Sequence, residues 1–259
     1  MKTLTKMILS SIIIATLFLC SCGLNKTIYS SKKSEKIEKI ALISTFIEFR
    51  APTGLLHAAI MNDKINSISN ELNILFEEYA DIYRDSLGSI LSRKADCEVI
   101  YGKLLQSNPG FAVLKEKYDF PNALATGKET WPYIFQASGD INPFQSLEAF
   151  TYIKPDTSLL KIEKHTIQAL CKALDVNYIA VSCSGLSALQ GDVITRGTLS
   201  LVTVFSLFDK DGDYVAWGNR TGGGKPISAG KVEEYPEVLN TFFIITNPMV
   251  SEILNKCSH

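Results

Sequence analysis

The pattern of apolar and polar positions divides the chain into an apolar start, a short polar stretch and a long patterned remainder. Met7 to Leu19 is an apolar run of roughly 13 residues behind Lys2 and Lys6. That length suits the core of a secretion signal and falls short of the ~20 residues a membrane-spanning helix needs. Residues 23–36 are polar and without periodicity, which predicts a flexible tether with a reach on the order of 20 Å.

From Lys39 the pattern becomes that of a folded domain. Lys39 to Phe49 is apolar and β-branched, as a buried strand should be. Asn62 and Asp63 are suited to cap a long helix, and Ile65, Ile68, Leu72, Leu75, Tyr79, Ile82, Ser86 and Ile90 recur at helical spacing along one face. Asp96 to Tyr101 reads as a short strand. A second helix is expected over about 158–174, with Leu159, Ile162, Ile167, Leu170 and Leu174 inward, followed by strands at Tyr178 to Ser184, Thr198 to Phe208 and Tyr214 to Trp217. The Asp-Gly within Asp209 to Asp213 marks a hairpin between the last two. A closing helix runs from Pro236 to about Lys256, with Pro248 dividing or kinking it.

The segment from about 102 to 155 breaks this rhythm. It holds Pro109, Pro121, Pro132, Pro143 and Pro155 among many aromatic residues, and reads as an irregular insertion. Trp131, Tyr133, Phe135 and Phe144 are its candidate partner or glycan surface, if exposed. The competing reading makes the aromatics a core plug on one side of the sheet. The whole is an α/β or α+β domain with a mixed sheet, in the order β-α-β-(irregular insertion)-α-β-β-β-α. The expected layout is a signal peptide over 1–21, a tether over 22–36 and one globular domain over 37–259.

Charge adds an exclusion. Without residues 1–21 the chain keeps 24 basic residues against 27 acidic ones, a net charge of −3. That balance gives no reason to expect nucleic acid as a partner. Cysteines Cys97, Cys171, Cys183 and Cys257 are scattered, which suits buried free thiols, although an exported protein could oxidise them in any of three complete pairings.

Candidate chemistry is sparse. Asp209, Asp211 and Asp213 alternate as in a calcium loop, but Gly212 falls fourth and Arg220 stands where the twelfth-position glutamate belongs. Thr221 to Lys225 has the glycines of a phosphate loop, but Asn219 and Pro226 occupy positions that need glycine and a hydroxyl residue; it reads as a mobile loop. His57, His165 and His259 share no metal spacing, and no serine sits in a nucleophile elbow. Glu77-Glu78 and Glu233-Glu234 read as solvated faces. No catalytic residue, metal or cofactor is predicted.

Two resemblances extend the reading. Leu19-Cys20-Ser21-Cys22 resembles the lipobox of bacterial lipoproteins, with Cys20 a mild departure from the usual small residue. It implies cleavage between Ser21 and Cys22, and a thioether-linked diacylglycerol on Cys22. It also implies membrane attachment by two or three acyl chains. Gly23 after the cysteine implies the outer membrane over the inner, by the rule of enteric bacteria, with a periplasmic domain. Leu170 to Ser184, then Leu199 to Gly218, resemble the periplasmic domain shared by the curli-secretion channel family and the activators of peptidoglycan synthases. That likeness, over about the last 90 residues and the first strand, implies assembly or partner binding without catalysis. The expected function is therefore a non-catalytic envelope lipoprotein with an envelope protein as partner. The alternative is a membrane-tethered hydrolase, or a small-ligand or glycan binder, using residues 102–155.

Overall fold

The computed structural model describes residues 25–30, 36–50, 67–119, 133–143, 162–188, 196–228 and 230–257. Seven strands form one mixed sheet: β1 (Lys26–Tyr29), β2 (Lys39–Arg50), β3 (Glu98–Ile100), β4 (Tyr133–Gln136), β5 (Tyr178–Ala188), β6 (Arg196–Asp209) and β7 (Tyr214–Ser228). Five helices accompany it: α1 (Ser69–Ala95), α2 (Gly102–Gln106), α3 (Pro109–Tyr118), α4 (Lys164–Leu174) and α5 (Tyr235–Cys257). The strand order is β1-β7-β6-β5-β2-β3, with β4 also on β2. β2 runs parallel to β3 and β5, and every other pairing is antiparallel. This is the mixed α/β fold the sequence pattern predicts.

The helices lie on both faces. α1 and α5 cover one, where Phe76 meets Tyr235, Tyr79 meets Phe243 and Tyr83 meets Phe242, so the two helices run side by side in the same direction. Ile167, Leu170 and Leu174 of α4, with Leu105 of α2 and Phe111 of α3, pack on the other face against Ala41, Ile43, Phe46, Ile179 and Val181. α1 and α4 each end on an aspartate in the left-handed conformation, Asp96 (φ 48) and Asp175 (φ 53). Each then turns the chain into a strand parallel to β2. Aspartate tolerates that conformation because its short polar side chain bonds locally.

Several elements differ from expectation. The buried stripe of α1 is Leu72, Phe76, Tyr79, Ala80, Tyr83, Leu87, Ile90 and Leu91, whereas Ile82 is 54% exposed. Leu72, Tyr79 and Ile90 of the expected stripe are buried, and Ile68 and Leu75 pack against the core. The buried face is centred a little further round the helix, so that Phe76, Tyr83 and Leu87 join it and Ile82 turns outward. Asn62, Asp63 and Leu159 lie outside the described residues.

Part of the supposed insertion is regular. Asn108 Oδ1 accepts from the Gly110 and Phe111 amides at 2.9 and 3.3 Å, and Pro109 opens α3. The proline that reads as a breaker is a first-turn proline, where its missing N–H costs nothing. Pro248 likewise sits inside α5 without ending it.

The tether is also interrupted. Residues 26–29 are strand β1, paired with Asn219 to Ala216 on the edge of the sheet. The glycine-rich stretch expected to be a mobile loop is the second half of β7. Packing accounts for one of its glycines, Gly222, and for Gly218 ahead of it. A Cβ on Gly222 would lie 3.1 Å from Ile245, and one on Gly218 would lie 2.7 Å from Met249, so α5 seats directly on this strand. The hairpin at 209–213 forms as predicted. Asp209 Oδ1 accepts from the amides of Asp211 (3.0 Å) and Asp213 (2.8 Å), which gives the alternating aspartates a turn-forming use.

Candidate functional site

Charged and polar groups converge where the middle of the chain meets α1. Ala137 and Ile141 donate their amides to Thr45 and Ile43 of β2, at 2.9 and 3.0 Å. Between them the chain makes a tight loop, Ser138-Gly139-Asp140, with Gly139 at φ +82. Asp81 of α1 receives this loop: its Oδ1 accepts from the Ser138 amide at 2.6 Å and its Oδ2 from the Ser138 hydroxyl at 2.8 Å.

Arg84, one turn further along α1, is 7% exposed and faces four oxygen-bearing groups. Its Nη1 donates to the Ser138 carbonyl at 2.7 Å and lies 3.0 Å from Asp81. Its Nε lies 3.0 Å from Asp85, and Nη1 is 3.7 Å from Asp140 Oδ1. Gln106 of α2 donates to the Ser138 carbonyl as well, at 2.7 Å. Lys115 of α3 donates to the Asp140 carbonyl at 2.8 Å, and Asp119 Oδ1 accepts from the Asn142 amide at 2.8 Å. Three helices, β2 and the loop after β4 are therefore clasped by one set of polar side chains.

Asp140 is the unusual member. Its side chain is fully buried, and neither carboxyl oxygen has a hydrogen bond of ordinary geometry. Burial pushes its pKa well above the usual carboxylate range, against the opposing pull of the Arg84 guanidinium and the Thr45 amide. A raised carboxyl near an arginine can mark an active site. Here the neighbours of both groups are carboxylates and carbonyls of the same fold, and each contact joins two elements. The arrangement acts as a clasp.

A second polar group lies within the other core. Tyr83 Oη reaches Thr246 Oγ1 (2.7 Å), Thr203 Oγ1 (3.0 Å), Ser184 Oγ (3.3 Å) and Ser182 Oγ (3.5 Å). These buried hydroxyls come from α1, α5, β6 and β5. They form a belt between two apolar clusters, one around Phe76 and Phe242, the other around Leu87 and Val250.

The sequence-derived candidates are distributed as follows. Ser21, Cys22, Trp131 and Phe144 lie outside the described residues. Tyr133 opens β4, opposite Phe49 of β2. Phe135 is 7% exposed and stacks on Phe76 with ring centroids 4.8 Å apart. It therefore offers no surface to a partner and follows the competing reading, in which the aromatics plug the sheet. His165 is exposed and pairs with Glu163, and His57 and His259 lie outside the described residues. Glu234, read as solvated, accepts from the Ser228 amide at 2.7 Å and holds the turn into α5. Among the described residues no group of three His, Cys, Asp or Glu side chains is placed to hold a metal ion. The clasp was missed because its aspartates and arginine are spread over 60 residues of sequence with no motif.

None of the four described cysteines, Cys97, Cys171, Cys183 and Cys257, is in a disulfide. Burial pushes Cys97 up to about 11, helped by Asp96 and Glu98, and Cys171 up to about 12, helped by Asp209. Burial also raises Cys183, beside Glu48, and Cys257, against the pull of Lys256. Since the thiolate is the reactive form, the native domain should resist iodoacetamide at pH 8. Cys97, the most accessible of the four, should react slowly, and all four should react once the protein is unfolded. Mass spectrometry of the two samples checks this, and rapid native labelling of Cys171 or Cys183 would contradict the packing described.

No protein-family model matches the chain. No curated protein matches it either. Among solved structures, a point variant of the PelC dodecamer from Paraburkholderia phytofirmans is 8% identical, with 91% of this chain and 98% of that chain covered and a TM-score of 0.34. A second crystal form of that protein gives 9% identity, coverage of 90% and 96%, and a TM-score of 0.29. The LpoB C-terminal domain from Salmonella enterica is 8% identical, with coverage of 77% and 87% and a TM-score of 0.25. At such scores none of them establishes a shared fold or function.

Proposed function

We propose that the chain is the precursor of a cell-envelope lipoprotein, cut between Ser21 and Cys22 and acylated on Cys22, whose domain is a non-catalytic partner-binding or assembly module. The observation that carries this reading is the coincidence of Lys2 and Lys6, the apolar run Met7 to Leu19 and the box Leu19-Cys20-Ser21-Cys22. A single acyl chain binds a membrane only marginally, whereas two or three hold it stably, so lipid alone suffices as an anchor. The described residues contain no helix long and apolar enough to cross a membrane, which is compatible with such an anchor. The clasp around Asp140 and the hydroxyl belt around Tyr83 are both occupied in joining elements, which favours a binding module over an enzyme. On this reading the domain lies in the periplasm, at the outer membrane.

The deciding measurement is the intact mass of protein purified from membranes, beside a Cys22→Ala variant. The expected mass is that of residues 22–259 plus two or three acyl chains. The variant should lose the acyl mass and stay unprocessed or leave the membrane fraction. An unmodified Cys22 in the native protein would overturn the proposal.

A further inference from the structure

Strand β1 changes what the lipid would do. Resting on the acylation of Cys22 proposed above, we infer that β1 is a strap that shortens the anchor to a leash of three residue steps, and so holds the edge of the sheet where β1 leaves β7 against the bilayer surface. The juxtaposition is between Cys22 in the sequence and Asn25, the first described residue, whose Oδ1 accepts from the Thr221 amide at 2.8 Å. Only Gly23 and Leu24 intervene. Three steps of fully extended chain span at most about 11 Å. The tether expected from the sequence would have let the domain wander on the order of 20 Å.

The strap is firmly attached. Besides its pairing with Asn219 to Ala216, the Ser30 amide donates to the Val215 carbonyl at 2.8 Å. The Tyr214 hydroxyl donates to the Ile28 carbonyl at 2.6 Å. Arg220 Nη2 donates to Thr27 Oγ1 at 2.8 Å and to Glu252 at 2.5 Å, tying β1 to α5. The Lys256 ammonium lies 4.1 Å from the centre of the Tyr29 ring. A strand held by backbone, hydroxyl, guanidinium and cation–π contacts does not behave as a loose linker.

Direction follows from register. β1 runs antiparallel to β7, so tracing the chain back from Lys26 leads toward the C-terminal half of β7. Thr221 is the midpoint of β7, where that half begins. Thr241 and Ile245 of α5 lie over Gly222 there, and the neighbouring Ile244 is 70% exposed. A Cβ on Gly223 would meet nothing within 4 Å. A diacylglycerol on Cys22 sits at the level of the lipid headgroups, so the edge of β7 just past Thr221 and the part of α5 over it come within reach of them. The opposite end carries the 209–213 turn and α3, where a Cβ on Gly110 would lie 2.8 Å from the Ala173 carbonyl just ahead of β5. Val113 of α3, 67% exposed, marks that far end. The occupant of the near end is the bilayer surface, because the chain length between anchor and strap leaves no room for a protein layer there.

The test uses the full-length precursor expressed in its envelope, with p-benzoylphenylalanine replacing Ile244, Gly223 or Val113 one at a time. Illumination in membranes carrying radiolabelled phospholipid should cross-link lipid several-fold more at Ile244 and at Gly223 than at Val113. Inserting about ten Gly/Ser residues between Gly23 and Leu24, which adds some 17 Å of average reach, should reduce both to the Val113 level. Intact mass on the same samples separates the two claims. Absence of acyl chains removes the lipoprotein reading itself. Acylated protein that cross-links equally at all three positions, or that ignores the insertion, overturns the leash alone.

Discussion

Replacing Arg84 with alanine should destabilise the domain by about 3–5 kcal/mol, the usual cost of removing one partner from a buried ion pair. For a domain of this size that corresponds to a fall in Tm on the order of 10 °C. The reasoning starts from the positions of the charges. Asp140 is buried, its oxygens lack ordinary hydrogen bonds, and Arg84 is the largest influence that favours its ionised form. Without Arg84, the carboxyl must either stay charged and uncompensated or take up a proton. The Ser138 carbonyl loses one of its donors, and Asp81 and Asp85 lose their cation.

The pH dependence has a definite sign. A carboxyl whose pKa is higher in the folded than in the unfolded protein contributes stability that is fully present below the unfolded value and is lost as pH rises through the folded one. Removing Arg84 raises the folded pKa of Asp140 further. The penalty of Arg84→Ala should therefore be largest above neutrality and shrink as pH falls toward 4. A second change, Asp140→Asn, should recover part of the loss at neutral pH by abolishing the buried charge, and should flatten this dependence. Urea titrations of the single and double variants between pH 4 and 8 measure both effects. An Arg84→Ala protein with unchanged stability at every pH would show that the clasp is ornamental.

Much of this fold was legible because its strands and helices follow their own periods. β2, β5 and β6 are apolar or β-branched runs, and the Asp-Gly turn between β6 and β7 declares itself. The errors have separate physical causes. The face of α1 was read correctly at Leu72, Tyr79 and Ile90 but centred too far toward Ile82 and away from Phe76, and only the sheet beneath fixes its centre. β1 is polar and short, and its stability comes from contacts with residues about 190 positions away, such as Tyr214 and Arg220. The second half of β7 looks like a loop in one dimension because of its glycines, and the approach of α5 to Gly222 is a tertiary cause that accounts for one of them. α3 opens with a proline, and only the capping Asn108 ahead of it distinguishes a start from a break. The clasp around Asp140 has no local pattern at all. An arginine within an apolar helical stripe was the one available hint, and it became a hint only once the correct stripe of α1 was known.

The hydroxyl belt supports a prediction in which removing less costs more. Tyr83→Phe deletes one oxygen and with it contacts to Thr246, Thr203, Ser184 and Ser182. Some of the stranded hydroxyls retain partners, since Thr246 and Ser184 each lie 3.1 Å from Thr203 and Ser182 donates to the Val204 carbonyl at 3.3 Å. The expected loss is thus about 1–3 kcal/mol, the cost of leaving buried polar groups underused. Nearby Thr45, paired in register with Ser182, already has a buried oxygen without a partner, so little slack remains in this layer. Replacing the group together, by Tyr83→Phe, Thr203→Val and Thr246→Val, removes the polar demand along with the supply and joins the two apolar clusters on either side. The triple variant should be closer to the original in stability than Tyr83→Phe is, because an apolar core of similar volume costs less than a half-satisfied network. Equilibrium unfolding of the two variants decides it. If the triple variant is instead less stable than the single one by the sum of its parts, the hydroxyls act independently, and their convergence on Tyr83 contributes no cooperativity to the core.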